Sequence, residues 1–280
     1  MWSILKGEWR KLRRCQILLV GFVALALCPV VQYGSQLIVN PENRDPDYNF
    51  VSLFSSVIWG NTQIFLPLSL VMIGGWMIDR EHTNDTMKNL LTVPVSYPGL
   101  LGGKLIVTIW LSLMFGAYSV AVTVLTGTIA GLDGLSAAVL LRQGVQVVAA
   151  AFNTCLVCMP MILIFGQLRG AYLGGSLLTF FLGYCILFFK SGFLLSAYPF
   201  SAALILAGFD MQDYNGATQA PSTLLSLAGI VAVLVLTTAV LLLSHPASRT
   251  GKIKKKEEKG AADGTLRKDR KGQFNHEEKQ

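Results

Sequence analysis

The chain reads as an all-α membrane protein: six transmembrane helices, both termini cytoplasmic, an amphipathic N-terminal helix, and a short helix between the second and third spans. Three observations predict this. Of 280 residues, 52% are hydrophobic and only 14% are charged, against about 25% charged in soluble domains, and the mean hydropathy is +0.53. The apolar residues gather in blocks of about 20, the length that crosses a hydrocarbon core. The basic residues between the blocks fall mostly on alternate segments, which orients the chain.

Three regions follow: a lead-in over 1–15, a six-helix domain over 16–243, and a tail over 244–280. The lead-in "WSILKGEWRKLRR" sets Trp2 and Trp9 beside Arg10, Lys11, Arg13 and Arg14, a pattern suited to anchoring on a lipid surface. The first span is expected at Gln16–Ile38, with Pro29 as a tolerated kink. It is too long for a signal-peptide core and no small-residue cleavage site follows, so a cleaved leader is not expected. The second span is expected at Ile58–Ile78, where the polar "WGNTQIFLP" blurs its start. The third runs over Leu105–Ile129, the fourth over Val145–Phe165 with Pro160 near its end, the fifth over Ala171–Phe189, and the sixth over Thr223–Leu243.

With the N-terminus inside, the inner segments hold fifteen Lys and Arg residues, counting the tail as far as Lys259. The outer segments hold three, Arg44, Arg142 and Lys190. That is a strong positive-inside bias. The outer segment Phe193–Ser222 is half apolar but too short and broken for two more crossings. It is expected to form a re-entrant or interfacial hairpin against the fifth and sixth spans. The tail is rich in Lys, Glu and Gly with few large apolar residues, so it is expected to be disordered.

Composition also excludes several functions. The net charge of +7 is concentrated beside apolar spans, which points to anionic lipid and not to nucleic acid. No ionisable residue lies mid-span, which argues against a proton- or sodium-coupled carrier and against an intramembrane protease. Gln146, Asn153, Thr123, Thr126 and Thr179 read as interhelical hydrogen bonders, and the pairs Gly127/Gly131 and Gly170/Gly174 as points of close helix approach. Cys155 and Cys158 form a CxxC pair, but mid-span and without a second ligand pair they read as packing residues. His82, His245 and His276 are scattered, so no metal site follows. "GLLGGKL" imitates a phosphate loop ending at Lys104, but its glycine spacing is one short and Leu105 stands where a magnesium ligand is needed. The chain therefore has no catalytic residues or cofactor of its own in this reading. If it moves a solute, ATP and magnesium belong to a separate polypeptide. Two alternatives stand beside transport: a non-transporting scaffold or sensor, and a lipid-processing enzyme, for which Asp210 and Asp213 are the outer candidates without a nearby His.

The most informative stretch is "DREHTNDTMKNLLTVPVSYPGLLGGK", Asp79 to Lys104. Asn84 and Asp85 are good N-caps, and Pro94 forces Val93 away from helix. A helix of roughly two turns is expected over 86–92, with Met87, Leu90 and Leu91 on one face. It is too short to be stable alone in water, so its apolar face must rest on lipid, on this protein or on a partner.

Here the residues resemble a known family. Glu81, the run Thr86-Met87-Lys88-Asn89-Leu90-Leu91, the run Pro94-Val95-Ser96, and Lys104 opening the next span look like the permeases of type-2 ABC exporters. The "EWRKLRR" of the lead-in is similar to that family's amphipathic segment. "KNLLTVPVS" and the overall length resemble the bacitracin-resistance and lantibiotic-immunity permeases. The tail from Arg249, Asp85 and Tyr97 depart from the pattern. The resemblance implies a plasma-membrane subunit of an ATP-driven exporter, paired with a second permease chain, identical or related, and with ABC ATP-binding subunits. The stretch after the second span would then be a coupling helix. Met87, Leu90 and Leu91 would be its apolar anchors, Glu81 and Lys88 its polar contacts, and Pro94 its stop. An antimicrobial peptide or lipid-linked molecule would be the substrate.

Overall fold

The computed structural model describes residues 7, 9–12, 15–39, 47–83, 96–190, 192–216 and 221–244, and the secondary structure among them is helical. The expected short helix over 86–92, with Met87, Lys88, Leu90, Leu91 and Pro94, lies outside the described residues. So do Trp2, Arg13, Arg14 and the tail from His245.

The first span is Ile17–Ile38, with Pro29 buried inside it. Its outward face, including Leu19, Val20, Val23 and Leu27, is exposed, as expected of a helix at the rim of a membrane bundle. The second span begins earlier than expected. Asn49 caps it, its Oδ1 accepting from the backbone N–H of Val51 at 2.9 Å and Ser52 at 3.2 Å. The helix runs over Phe50–Gly60, widens into a π-helical turn over Asn61–Phe65, and continues as Leu66–Thr83. The polar run that seemed to precede the span therefore lies within it. It is tolerated because this helix is surrounded by protein: spans one, three, four and five all pack on it. Asn61, Thr62 and Gln63 are each buried and face neighbouring helices instead of lipid.

The third span is Tyr97–Ile129. Ser96 caps it through Gly99 N–H at 3.3 Å, and Pro98 sits in the first turn, where a missing N–H costs nothing. It starts two turns before Leu105, so Lys104 lies inside the helix. The fourth span, Ala137–Gln167, is likewise longer than expected, with Ser136 as its cap. The fifth is Tyr172–Tyr184 followed by a tight 3₁₀ turn over Cys185–Phe188. Its length is about 27 Å, slightly less than a hydrocarbon core of about 30 Å. The sixth, Thr223–Leu243, has the expected limits. Five of these helices are long and apolar enough to cross a membrane, and the fifth span is the shorter apolar one.

The glycine expectation needs correcting. Gly131 and Gly170 have φ of +69°, with nothing near an added Cβ, and Gly174 is also open. The first two end helices. Of the four, Gly127 does pack closely, against the Phe50 ring. Close approach occurs elsewhere: an added Cβ at Gly166 would stand 2.9 Å from Ile78 Cβ and 3.1 Å from Gly75 Cα.

The outer segment forms three short helices, Gly192–Ala197, Pro199–Leu206 and Gln212–Asn215. The middle one is buried from Phe200 through Ile205. It packs on the fourth and sixth spans, the helix before it also meets the sixth, and the helix after it meets the turn that ends the fifth. Asn153 Nδ2 of the fourth span donates to Ala203 O at 3.1 Å, and Gln146 Nε2 donates to Gly208 O at 2.6 Å. The fifth span is touched by Tyr198, whose hydroxyl donates to Leu182 O. Asn153 and Gln146 thus bind between segments, whereas Thr123 and Thr179 donate back within their own helices.

Candidate functional site

The segment 84–95 leaves the second span through "MIDRE", Met77 to Glu81. These residues form a charged junction at the end of the bundle. Asp79, Arg80 and Glu81 are consecutive on a helix, so they point in three directions about 100° apart. Each reaches a different part of the chain. Asp79 Oδ1 accepts the N–H of Gly170 at 3.0 Å, in the turn between the fourth and fifth spans. Arg80 Nη1 donates to Cys15 Sγ at 3.2 Å, just before the first span, and its guanidinium lies 5.2 Å from the Trp76 ring centroid. Glu81 Oε1 stands 3.0 Å from Lys104 Nζ of the third span and 3.4 Å from Lys11 Nζ of the lead-in.

Asp79 is 8% exposed, and the Glu81–Lys104 pair is buried at both ends: Lys104 is 2% exposed and Glu81 7%. Lys104 Nζ also donates to Met77 O at 2.8 Å. A charge taken out of water is tolerated only with partners that replace its hydration, and here each ion has at least two. The lead-in is fastened by packing as well. Leu12 is buried, and Trp9 lies against the core. Of the residues expected to anchor the lipid surface, Arg10 is exposed, Lys11 reaches Glu81, and Trp9 meets protein. Glu81, expected to touch a partner, lies within this chain beside Lys104 and Lys11.

Sequence reasoning missed the partners of Glu81 because Lys104 seemed to precede its span. It also missed the π-helical turn. There, Asn61 Nδ2 donates to Ser119 Oγ of the third span at 2.8 Å, while Asn61 Oδ1, Thr62 Oγ1 and Gln63 Nε2 have no hydrogen-bond partner. The signal available was the run "GNTQ" between two apolar stretches. Asp210 accepts from Gln212 N–H at 3.0 Å, which closes a turn. Among the described residues no three His, Cys, Asp or Glu groups converge.

Comparison with known proteins follows the same lines as the geometry. The family described as "ABC-2 family transporter protein" matches residues 4–186. A curated relative, the bacitracin transport permease protein BCRB of Bacillus licheniformis, is 33% identical over 101 residues. That alignment covers 35% of this chain and 47% of the relative, about half of the relative's length.

Proposed function

This chain belongs to the ABC-2 transporter family, and from that premise we propose that it is the membrane-spanning subunit of an ATP-driven exporter whose ATP-binding subunit docks on segment 84–95. It is a multi-pass membrane permease; the direction of transport, the docking and the substrate are parts of the proposal. Both termini and the charged junction face the cytoplasm, which the distribution of Lys and Arg supports. Met87, Leu90 and Leu91 seat in the ATPase, Lys88 adds a polar contact, and a second permease chain completes the assembly. ATP and magnesium are held by the partner. The substrate is an amphipathic molecule such as an antimicrobial peptide, a choice supported by the name of the relative. The lead-in over 1–15 rests on the membrane surface.

One observation carries this reading: three successive residues immediately before segment 84–95 each hold a different part of the bundle. A push on that segment reaches the fourth-to-fifth turn through Asp79, the start of the first span through Arg80, and the third span and lead-in through Glu81. Glu81 in this reading is a positioning residue, carrying motion inward rather than touching the ATPase. The test is Leu90→Asp with Leu91→Asp. The double variant should insert normally and fail to co-purify with the proposed ATP-binding subunit. Unchanged co-purification would end the docking proposal.

A further inference from the structure

Beside the junction lies a cleft of about 390 Å³ lined by Arg10, Lys11, Cys15 and Arg80. Its charge is one-sided. Lys11 shares Glu81 with Lys104. Arg80 donates to a thiol and sits over an indole, and neither group neutralises a guanidinium. No carboxylate among the described residues pairs with Arg80 or Arg10. A planar fork of donors matched to phosphate or carboxylate oxygens is thus half-buried without an anion.

The surroundings point to the source of that anion. Cys15 stands two residues before the first span. Leu19 and Val23 continue from it at helical spacing and are 64% and 49% exposed. Trp76 borders Arg80, and Trp9 is on the lead-in beside Arg10, in the manner of aromatic residues at a membrane–water interface. A phosphate placed in the cleft has an uninterrupted apolar track for attached hydrocarbon chains. Basic pockets at helix ends recognise anionic lipid head groups in this way.

We infer that this cleft binds the phosphate of an anionic phospholipid, with its acyl chains lying along the first span. Only the placement in the inner leaflet rests on the proposed orientation; the binding itself does not depend on the ATPase partner. The lipid phosphate bridges Arg10 and Lys11 on the lead-in to Arg80 on the second span, so it completes the fastening that Glu81 begins.

The test uses the full chain purified in mild detergent, studied by native mass spectrometry with phosphatidylglycerol, with diacylglycerol, and with sodium phosphate at matched phosphate concentration. Phosphatidylglycerol should be retained, and Arg80→Gln should weaken its retention about tenfold, the loss of a charge-assisted hydrogen-bonded pair. Arg10→Gln should weaken it less, and diacylglycerol should bind weakly to all variants alike. Should Arg80→Gln fail to fold, Arg10→Gln and a thiol readout decide. Alkylation of Cys15 by N-ethylmaleimide, located by peptide mass, should be slower in phosphatidylcholine vesicles containing phosphatidylglycerol than in those without it. Equal retention by both arginine variants and the wild type, or an unchanged Cys15 rate, would overturn the inference. Shielding of Cys15 by sodium phosphate alone would overturn it in favour of a soluble anion.

Discussion

Replacing Lys104 by Met should be among the most costly single changes at the junction. At 3.0 Å and an effective dielectric of about 20, the Glu81–Lys104 attraction is about 5.5 kcal/mol, and desolvation of the two ions takes back most of it. Lys104→Met does not return Glu81 to water. It leaves a carboxylate that is 7% exposed without its buried counter-ion, and Lys11, at 3.4 Å, is a half-exposed lysine. The expected loss is about 3–5 kcal/mol, the cost of orphaning one member of a buried pair. Lys11→Ala should cost less than about 1 kcal/mol, because that bond is screened by solvent. The double variant Glu81→Gln/Lys104→Met removes both charges and should return to within about 1 kcal/mol of the wild type. The assay is unfolding in mixed detergent micelles, followed by tryptophan fluorescence across the four proteins. A double variant no more stable than Lys104→Met would refute the argument, as would a Lys11→Ala loss equal to that of Lys104→Met.

Other consequences are simpler to check. Asn61→Leu trades one neutral hydrogen bond to Ser119 for the removal of an unpaired buried carbonyl; it should be neutral or stabilising by about 1 kcal/mol, and a clear loss in the same unfolding assay would show that Oδ1 has a partner such as water. Gly166→Val should lower the unfolding midpoint by the equivalent of more than about 2 kcal/mol, because its Cβ would meet Ile78 Cβ and the Gly75 backbone; Gly174→Ala, in open space, should leave the midpoint unchanged.

The sequence was most legible where a single physical rule governs the boundary. The sixth span is a continuous apolar run between Ser222 and Ser244, is mostly exposed on the surface of the chain, and has the limits expected of it. The second span was misjudged at its start because hydropathy assumes that a membrane helix faces hydrocarbon. This one is wrapped by four other spans, and protein can accept Asn61, Thr62 and Gln63 where lipid cannot. The same assumption displaced the start of the third span, since Lys104 looked like an interfacial end rather than half of a buried ion pair. That pair was out of reach of periodicity. With Lys11, its members come from three segments, and only the packing of the lead-in, the second span and the third span brings them together. Apolar spacing carried no sign that Asp79, Arg80 and Glu81 would be tied to three places at once.

The chain keeps ionisable groups out of the middle of its spans, yet buries Asp79, Glu81 and Lys104 together near one end. Stability is a poor explanation, because well-packed apolar side chains would do as well or better in the same space. What an ion pair adds is a definite register. Glu81 fits Lys104 and Lys11 in one arrangement, and a small slide of the second span against the third would strand charges away from water. A buried pair of this kind resists partial displacement. The helices therefore move as a unit or the contact changes to a different paired state, since packed interfaces switch between discrete arrangements more readily than they deform. In the proposed coupling role, a junction that passes force from segment 84–95 into the bundle needs that property more than it needs added stability. The Asn61-to-Ser119 contact lies farther along the same two spans, within a turn already widened from α-helical spacing. If the lower part of the second span moves with the third span, the π-helical turn is where the change in helix geometry has room to be absorbed.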